Sequence, residues 1–260
     1  MNGSWTMARP ADRVEWEERM RLGQHAFDKG NYKEAKRQFE KAVAIARDIS
    51  DDGSKSVSLL NLGMTLGAAG RDDLADPVFS EALQIDEQSL GPGSRELAID
   101  FIDIGAHYGR MSRLGEAEQM YKRALNILEN ESTKKPDTDL ALVLSNLGLL
   151  YLEQNRPDDA EAPLHKALEI RQAAFAQNSK EVAESMVNLA TLYSNTGRRS
   201  EAKQMYEQAI DTLEMQLGPD HPETAEVLQD YADLLRDAGD IDAAKQLDQR
   251  AQSILRSHTL

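Results

Sequence analysis

Residues 105–124 read GAHYGRMSRLGEAEQMYKRA and place Gly105, Ala117, Tyr121 and Ala124 at fixed offsets. The spacing of a small residue, an alanine twelve positions later and a second alanine seven further on occurs six times. The small residues are Gly23, Gly63, Gly105, Gly148, Ala190 and Ala232; the alanines are Ala35, Ala75, Ala117, Ala160, Ala202 and Ala244, then Ala42, Ala82, Ala124, Ala167, Ala209 and Ala251. A period near 42 residues predicts an array of stacked helix pairs.

Each unit contains two helical patterns separated by a turn. In the first pattern, apolar residues three and four positions apart accompany the small residue, as Leu59, Leu62 and Leu66 do around Gly63. In the second, a large side chain lies between the two alanines, at Phe39, Phe79, Tyr121, Leu164 and Tyr206. Small residues let two helices approach closely, and the large side chain fills the crossing. Turn residues separate the two patterns at Gly30, Gly70, Asn155, Gly197 and Gly239.

This spacing resembles the tetratricopeptide repeat (TPR), and its 42-residue unit is similar to the repeats of kinesin light chains. The connector LGPDHPET at residues 217–224 resembles the linker of that subfamily, in which we expect Asp220 or Thr224 to cap the following helix. The resemblance implies an all-α fold, a right-handed superhelical α-solenoid of six TPR helix pairs.

We predict a disordered N-terminal arm over residues 1–12, followed by six repeats. Their expected bounds are 13–50, 51–93, 94–134, 135–178, 179–219 and 220–260, the last with a polar C-terminal cap. A terminal repeat has no neighbour to cover it, which explains Asp248 where other repeats have a large apolar side chain.

Composition restricts the class of function. Thirty basic and 45 acidic side chains give a net charge of −15, which disfavours nucleic acid and anionic membranes as partners. Cysteine is absent, so thiol chemistry and thiolate zinc sites are excluded, and we expect a cytoplasmic protein. No apolar run approaches the length of a membrane span.

The sequence contains no motif typical of catalysis. Glu161 and His165 are one helical turn apart, but two ligands rarely hold a metal ion, and neither a phosphate-binding glycine loop nor a hydrolase serine motif is present. We therefore expect no enzyme activity, no metal and no cofactor.

The resemblance implies that the first helices line a concave groove that binds a peptide. The predicted groove residues are three asparagines at equivalent positions, Asn61, Asn146 and Asn188; the apolar Leu60, Met64, Ile99, Ile102, Leu142, Leu149 and Val187; and two acids, Asp103 and Asp230. An amide can both donate to and accept from an extended backbone. The alternative is that these asparagines are only solvent-facing polar residues.

Charge indicates the type of partner. Between Leu217 and Asp248 there are nine acidic and two basic residues, a net charge of −7. Such a surface would attract a basic segment, so we predict a protein or peptide partner that is apolar with basic residues. The alternative is a self-associating or regulatory module, in which the groove takes the chain's own N-terminal arm or another copy. Trp5, a large apolar side chain in a polar arm, motivates this alternative.

Overall fold

The computed structural model describes residues 10–131, 135–176 and 179–258, and these form an all-α fold of twelve helices. Most of the predicted arm, including Trp5, lies outside the described residues, and α1 begins at Pro10. The helices are α1 Pro10–Asp28, α2 Tyr32–Asp48, α3 Asp52–Ala68, α4 Asp72–Leu90, α5 Arg95–Arg110, α6 Leu114–Asn130, α7 Thr138–Glu153, α8 Pro157–Ala174, α9 Lys180–Asn195, α10 Arg199–Leu217, α11 Pro222–Asp237 and α12 Ile241–Ser257. None of these helices is long and apolar enough to cross a membrane.

The helices pack as six consecutive pairs, which confirms the predicted pairing. Odd-numbered helices are the first helices of repeats 1 to 6, and even-numbered helices are the second. The chain divides into two compact units, residues 1–128 and residues 129–260. Within the first unit α3 also contacts α1 and α5, and within the second unit α7 contacts α9.

Close approach of the two helices in a pair depends on the small residue predicted from sequence. A Cβ atom added to Gly63 would lie 2.5 Å from Cε1 of Phe79, and one added to Gly105 would lie 2.7 Å from Cε1 of Tyr121. Gly23 meets Phe39 and Gly148 meets Leu164 at similar distances. The alanines on either side of these large side chains are completely buried. The repeat spacing is therefore a steric pattern, with one large side chain seated against a backbone that carries no side chain of its own.

The turn inside each pair passes through one residue with positive φ. In the first repeat, Gly30 has φ 69°, its N–H donates to the carbonyl of Phe27, and the N–H of Asn31 donates to the carbonyl of Ala26. This arrangement ends the first helix by satisfying its last carbonyls. The equivalent residues are Gly70, Ser112, Asn155, Gly197 and Gly239. The sequence analysis predicted a turn at five of these six residues. It did not predict the turn at Ser112, because serine rarely adopts positive φ.

The connector at residues 217–224 is capped differently from the expectation. Gly218 follows α10 with φ 95°, and Nδ1 of His221 accepts a hydrogen bond from the N–H of Glu223 at 3.3 Å. His221 is therefore the N-cap of α11, and the prediction of Asp220 or Thr224 was wrong. Pro222 occupies the first position of the helix, so the chain enters the helix one residue after His221, and Thr224 lies buried inside it.

An arginine clamp links neighbouring repeats within each unit. The guanidinium of Arg113 lies 4.4 Å from the ring centroid of Tyr108 and 2.8 Å from Oδ1 of Asp76 in the preceding repeat. Arg198 repeats the arrangement, 4.2 Å from the ring of Tyr193 and 2.6 Å from Oε1 of Glu161. The hydrogen bond from Arg113 lowers the pKa of the Asp76 carboxyl. The sequence analysis did not identify this periodic feature.

Substitution of Gly63 by alanine tests the steric pattern. The added methyl group would overlap the Phe79 ring, so we expect Gly63→Ala to destabilise the protein by about 1–3 kcal/mol in urea unfolding. Gly109→Ala is the matched control, because a Cβ at Gly109 meets no atom within 4 Å. That control should be neutral or stabilising, since alanine favours a helix more than glycine does. Equal stability of both variants would contradict the steric account.

Candidate functional site

The first helices of repeats 1, 2 and 3 surround a cavity of about 250 Å³, called cavity 1 below. It is lined by Gln24, Phe27, Asn61, Met64, Asp103, Ala106 and Arg110. Three predicted groove residues therefore meet around one space: the amide Asn61, the apolar Met64 and the acid Asp103. Arg110, at the end of α5, was missed because it lies outside the helix positions considered in the sequence analysis.

The amide of Asn61 is engaged within its own helix. Its Nδ2 donates to the backbone carbonyl of Val57 at 2.8 Å. This hydrogen bond occupies one of the two donor hydrogens and leaves the amide oxygen to accept from a ligand. Asn61 therefore has less capacity to donate a hydrogen bond to a ligand than the sequence analysis predicted.

Cavity 1 carries charges of both signs. Neighbouring protein atoms displace water from Asp103 and so raise the pKa of its carboxyl, while the positive charge of Arg110 partly offsets this effect. A carboxylate and a guanidinium on one helix give the cavity no single preference for ligand charge. The basic-partner prediction draws no support from this part of the face.

The apolar residues predicted for repeats 2 and 3 differ in accessibility. Leu60 and Met64 are half-buried, and Ile99 is 40% exposed. Ile102 is only 3% exposed, so its side chain belongs to the core and offers no surface to a ligand. The prediction of Ile102 as a groove residue is corrected, because its position on α5 faces the packed neighbouring helices.

In the second unit, α7 and α9 carry the remaining apolar and amide residues. Leu142 is 40% exposed, whereas Leu149 and Val187 are half-buried. Asn146 and Asn188 are also half-buried, and within the described residues their side chains form no hydrogen bond. Unlike Asn61, both amides therefore keep their full capacity for a ligand.

Helices α9 and α11, together with Leu213 of α10, surround a second cavity of about 370 Å³, called cavity 2 below. Its lining combines apolar with acidic side chains: Lys180, Ala183, Glu184, Val187, Asn188, Leu213, Glu223, Glu226, Val227 and Asp230. Three predicted residues, Val187, Asn188 and Asp230, meet here. The sequence analysis did not predict Lys180, Glu223 or Leu213 as groove residues. Lys180 and Glu223 lie at the starts of their helices, and Leu213 lies on a second helix.

The charges of cavity 2 are only partly compensated. Nζ of Lys180 lies 2.8 Å from Oε1 of Glu223, and Arg171 lies 3.8 Å from Glu184. In the described part of the chain, Glu226 and Asp230 have no ion pair. Asp230 is exposed, but neighbouring protein atoms displace part of its water and so raise the pKa of its carboxyl; the negative charges of Asp233 and Glu226 raise this pKa further. A cation placed among these groups would relieve their mutual repulsion.

The residues considered for metal binding have other partners. Oε1 of Glu161 lies 2.6 Å from Arg198, and Nε2 of His165 lies 2.8 Å from the hydroxyl of Tyr193. Within residues 10–131, 135–176 and 179–258, no three histidine or carboxylate side chains cluster as metal ligands would. Glu161 and His165 are thus part of the contact between repeats 4 and 5.

The architecture and the sequence match a known family of repeat proteins. The tetratricopeptide repeat family model matches residues 18–88, 55–130, 139–215 and 181–257, which together span nearly the whole chain. No curated protein sequence matches the chain.

Several solved structures are similar in fold. The crystal structure of BtubC (BKLC) from P. vanneervenii is 21% identical with a TM-score of 0.71, and the match covers 99% of this chain and 93% of that chain. A putative P. anserina kinesin light chain with nearly identical TPR-like repeats is 20% identical with a TM-score of 0.63, covering 78% and 96%. YrrB, described as a TPR protein with an unusual peptide-binding site, is 17% identical with a TM-score of 0.50, covering 82% and 93%.

The electrostatics of cavity 2 can be tested by carboxyl ¹³C NMR titration. We expect the pKa of Asp230 to lie above its usual range, and Glu226→Gln to lower it, because the substitution removes a neighbouring negative charge. Asp48→Asn on α2, in the other unit, is the control and should leave the Asp230 titration unchanged. An ordinary pKa at Asp230 would contradict both causes, the loss of water around the carboxyl and the repulsion by Asp233 and Glu226.

Proposed function

Because the chain belongs to the tetratricopeptide repeat family, whose modules are generally protein-interaction scaffolds, we propose that it is a non-catalytic scaffold that holds a peptide segment. The segment lies on the exposed face of the first helices. Its preferred sequence is apolar with lysine or arginine residues. Cavity 2, in the second unit, selects the lysine or arginine residues of the segment.

The observation that carries this proposal is the composition of cavity 2. Val187, Leu213 and Val227 give it an apolar lining, and Glu226 and Asp230 add carboxylates without ion-pair partners among the described residues. A lysine or arginine side chain matches both properties, since its aliphatic stem packs on apolar surface and its charged end reaches carboxylates. The raised pKa of Asp230 supports the same assignment, because a ligand cation would favour the ionised form.

The amides of Asn146 and Asn188 supply sequence-independent binding. Each can donate to a peptide carbonyl and accept from a peptide N–H, which orients an extended backbone without selecting its side chains. Leu142 and Leu149 on α7 offer apolar contact beside Asn146 on the same helix. Backbone recognition by amides and side-chain selection by cavity 2 are therefore separate contributions.

The alternative, in which the face takes the chain's own N-terminal arm or a second copy, stays a prediction. Trp5, which motivates it, lies outside the described residues. Deletion of residues 1–9 separates the two functions. Under the alternative, the deletion would change the oligomeric state in light scattering or increase affinity for an added peptide. Under the proposal, both would stay as they are in the full chain.

Charge selection can be measured with two peptide libraries of the same apolar pattern, one carrying lysine and arginine and the other glutamate. We expect only the basic peptides to bind in fluorescence anisotropy. Glu226→Gln with Asp230→Asn should weaken their binding about five-fold at moderate salt, since exposed charge pairs contribute less than about 1 kcal/mol each. Higher salt should reduce the difference.

The matched control combines Glu169→Gln and Asp211→Asn, which remove the same two charges from exposed positions on second helices. Equal weakening by both double variants would show that net charge, and not cavity 2, attracts the peptide. A preference for the acidic peptides would overturn the charge assignment.

The amide contribution is tested by Asn146→Ala and Asn188→Ala. Each substitution should weaken peptide binding by about 1 kcal/mol, or raise Kd about five-fold, because hydrogen bonds to the peptide are lost. Asn195→Ala removes an exposed amide from the end of α9 and is the control. If all three variants bind as tightly as the parent protein, Asn146 and Asn188 are only solvent-facing polar residues.

A further inference from the structure

The lining of cavity 2 follows two neighbouring helices from their first turns. Lys180 and Glu223 lie at the starts of α9 and α11, whereas Asn188 and Asp230 lie about two turns further along the same helices. Since both pairs line one cavity, α9 and α11 run side by side in the same direction. The cavity therefore has a start end, at Lys180 and Glu223, and a far end, at Asn188 and Asp230.

The one basic side chain among the described residues that line cavity 2 is Lys180. Its Nζ donates a hydrogen bond to Oε1 of Glu223 at 2.8 Å, which joins α9 to α11. Glu226 and Asp230 follow on α11 and have no ion pair in the described part of the chain. Lys180 therefore neutralises the start end of the cavity and leaves the next two carboxylates of α11 unpaired.

The ammonium group of Lys180 stays charged near neutral pH. Its hydrogen bond to Glu223 raises the pKa of Lys180, and the negative charges of Glu223, Glu184 and Glu181 add to this rise. The side chain is 42% exposed, so water also solvates the charge. A positive charge is therefore always present at the start end of the cavity.

A lysine at this position does not stabilise its own helix. Lys180 is the first residue of α9, where the helix dipole favours negative charge and disfavours positive charge. Ser179 caps this helix, because its side chain accepts a hydrogen bond from the N–H of Val182 at 3.3 Å. Local helix energetics therefore give no reason for a lysine here, and its partner on α11 is the contact that does.

We propose that Lys180 determines how many basic side chains cavity 2 accepts: it occupies Glu223 and so limits the cavity to one lysine or arginine of the bound segment. That side chain pairs with Glu226 and Asp230, which are one turn apart on α11. A second cation beside it would meet the ammonium group of Lys180, which repels it. This inference rests on the proposed function, because it concerns the selectivity of the same cavity for the same class of peptide.

The spacing of the acids indicates where a second basic residue would lie in the peptide. Glu223 and Glu226 are three positions apart on α11, a rise of about 4.5 Å along the helix. Side chains two positions apart in an extended peptide point to the same side and are about 6.6 Å apart. A lysine two positions from the bound one could therefore reach Glu223 once Lys180 no longer occupies it.

The test compares three peptides in fluorescence anisotropy with the full chain. The first is the tightest-binding peptide of the basic library that carries a single lysine. The other two carry a second lysine, two positions before or two positions after the first. With the parent protein, we expect the second lysine to change Kd by less than about two-fold, because Lys180 occupies Glu223.

Removal of the lysine charge should change this result. With Lys180→Met, at least one two-lysine peptide should bind about five-fold more tightly than the one-lysine peptide, the upper range for one exposed ion pair. Addition of Glu223→Gln to Lys180→Met should abolish most of this gain, because the second lysine then lacks its carboxylate. A purely structural role of Lys180 would not make the gain depend on Glu223.

Three further variants are the controls. Lys180→Arg keeps the charge and should discriminate between the peptides as the parent protein does. Lys180→Gln repeats the loss of charge with a polar side chain and should match Lys180→Met. Lys203→Met removes an exposed lysine of α10, which lies 3.7 Å from Glu207 and outside the cavity lining, and should behave as the parent. Thermal unfolding followed by circular dichroism checks that each variant is folded.

The outcomes separate this inference from the proposed function. An equal gain from the second lysine in the parent and in Lys180→Met would overturn the inference and leave the proposed function intact. A uniform loss of affinity for all three peptides in Lys180→Met would do the same, because Lys180 would then affect only the shape of the cavity. If no basic peptide binds the parent or any variant, the proposed function fails and the inference is overturned with it.

Discussion

The fold depends on one steric interaction, the seating of a large side chain against helix backbone that carries little or no side chain. Phe79 occupies the space that a Cβ of Gly63 would need, and Tyr121 does the same at Gly105. Because the interior is close-packed, the helices of repeats 1 to 4 can approach this closely only where the first helix carries a glycine. Stacking then gives each repeat a buried surface that a single helix pair lacks, as in repeat proteins generally.

Polar contacts act at the joints between repeats once the steric pattern has set their separation. Arg113 and Arg198 each stack on a tyrosine of their own repeat and pair with an acid of the preceding one. These clamps lie near the surface, where an ion pair contributes little on its own, so they orient neighbouring repeats more than they stabilise them.

The predicted groove residues lie at different depths in the structure. Of the predicted groove residues, Asn61, Met64 and Asp103 line cavity 1, and Val187, Asn188 and Asp230 line cavity 2. The prediction failed for Ile102, because a position near the edge of a helical stripe is buried or exposed according to its neighbours. It also missed Arg110, Lys180 and Glu223, which reach the cavities from helix ends where the repeat pattern makes no assignment.

The sequence alone determined the period, the six helix pairs and the buried small residues, because each follows from side-chain size at fixed offsets. It also predicted a turn at five of the six positions where the backbone has positive φ, since glycine and asparagine are typical of turns. Only the tertiary structure decided that Asn61 bonds to its own helix while Asn146 and Asn188 form no such bond among the described residues, and that His221 caps α11. Such hydrogen bonds depend on the local geometry of the folded backbone, and this geometry leaves no periodic trace in the sequence.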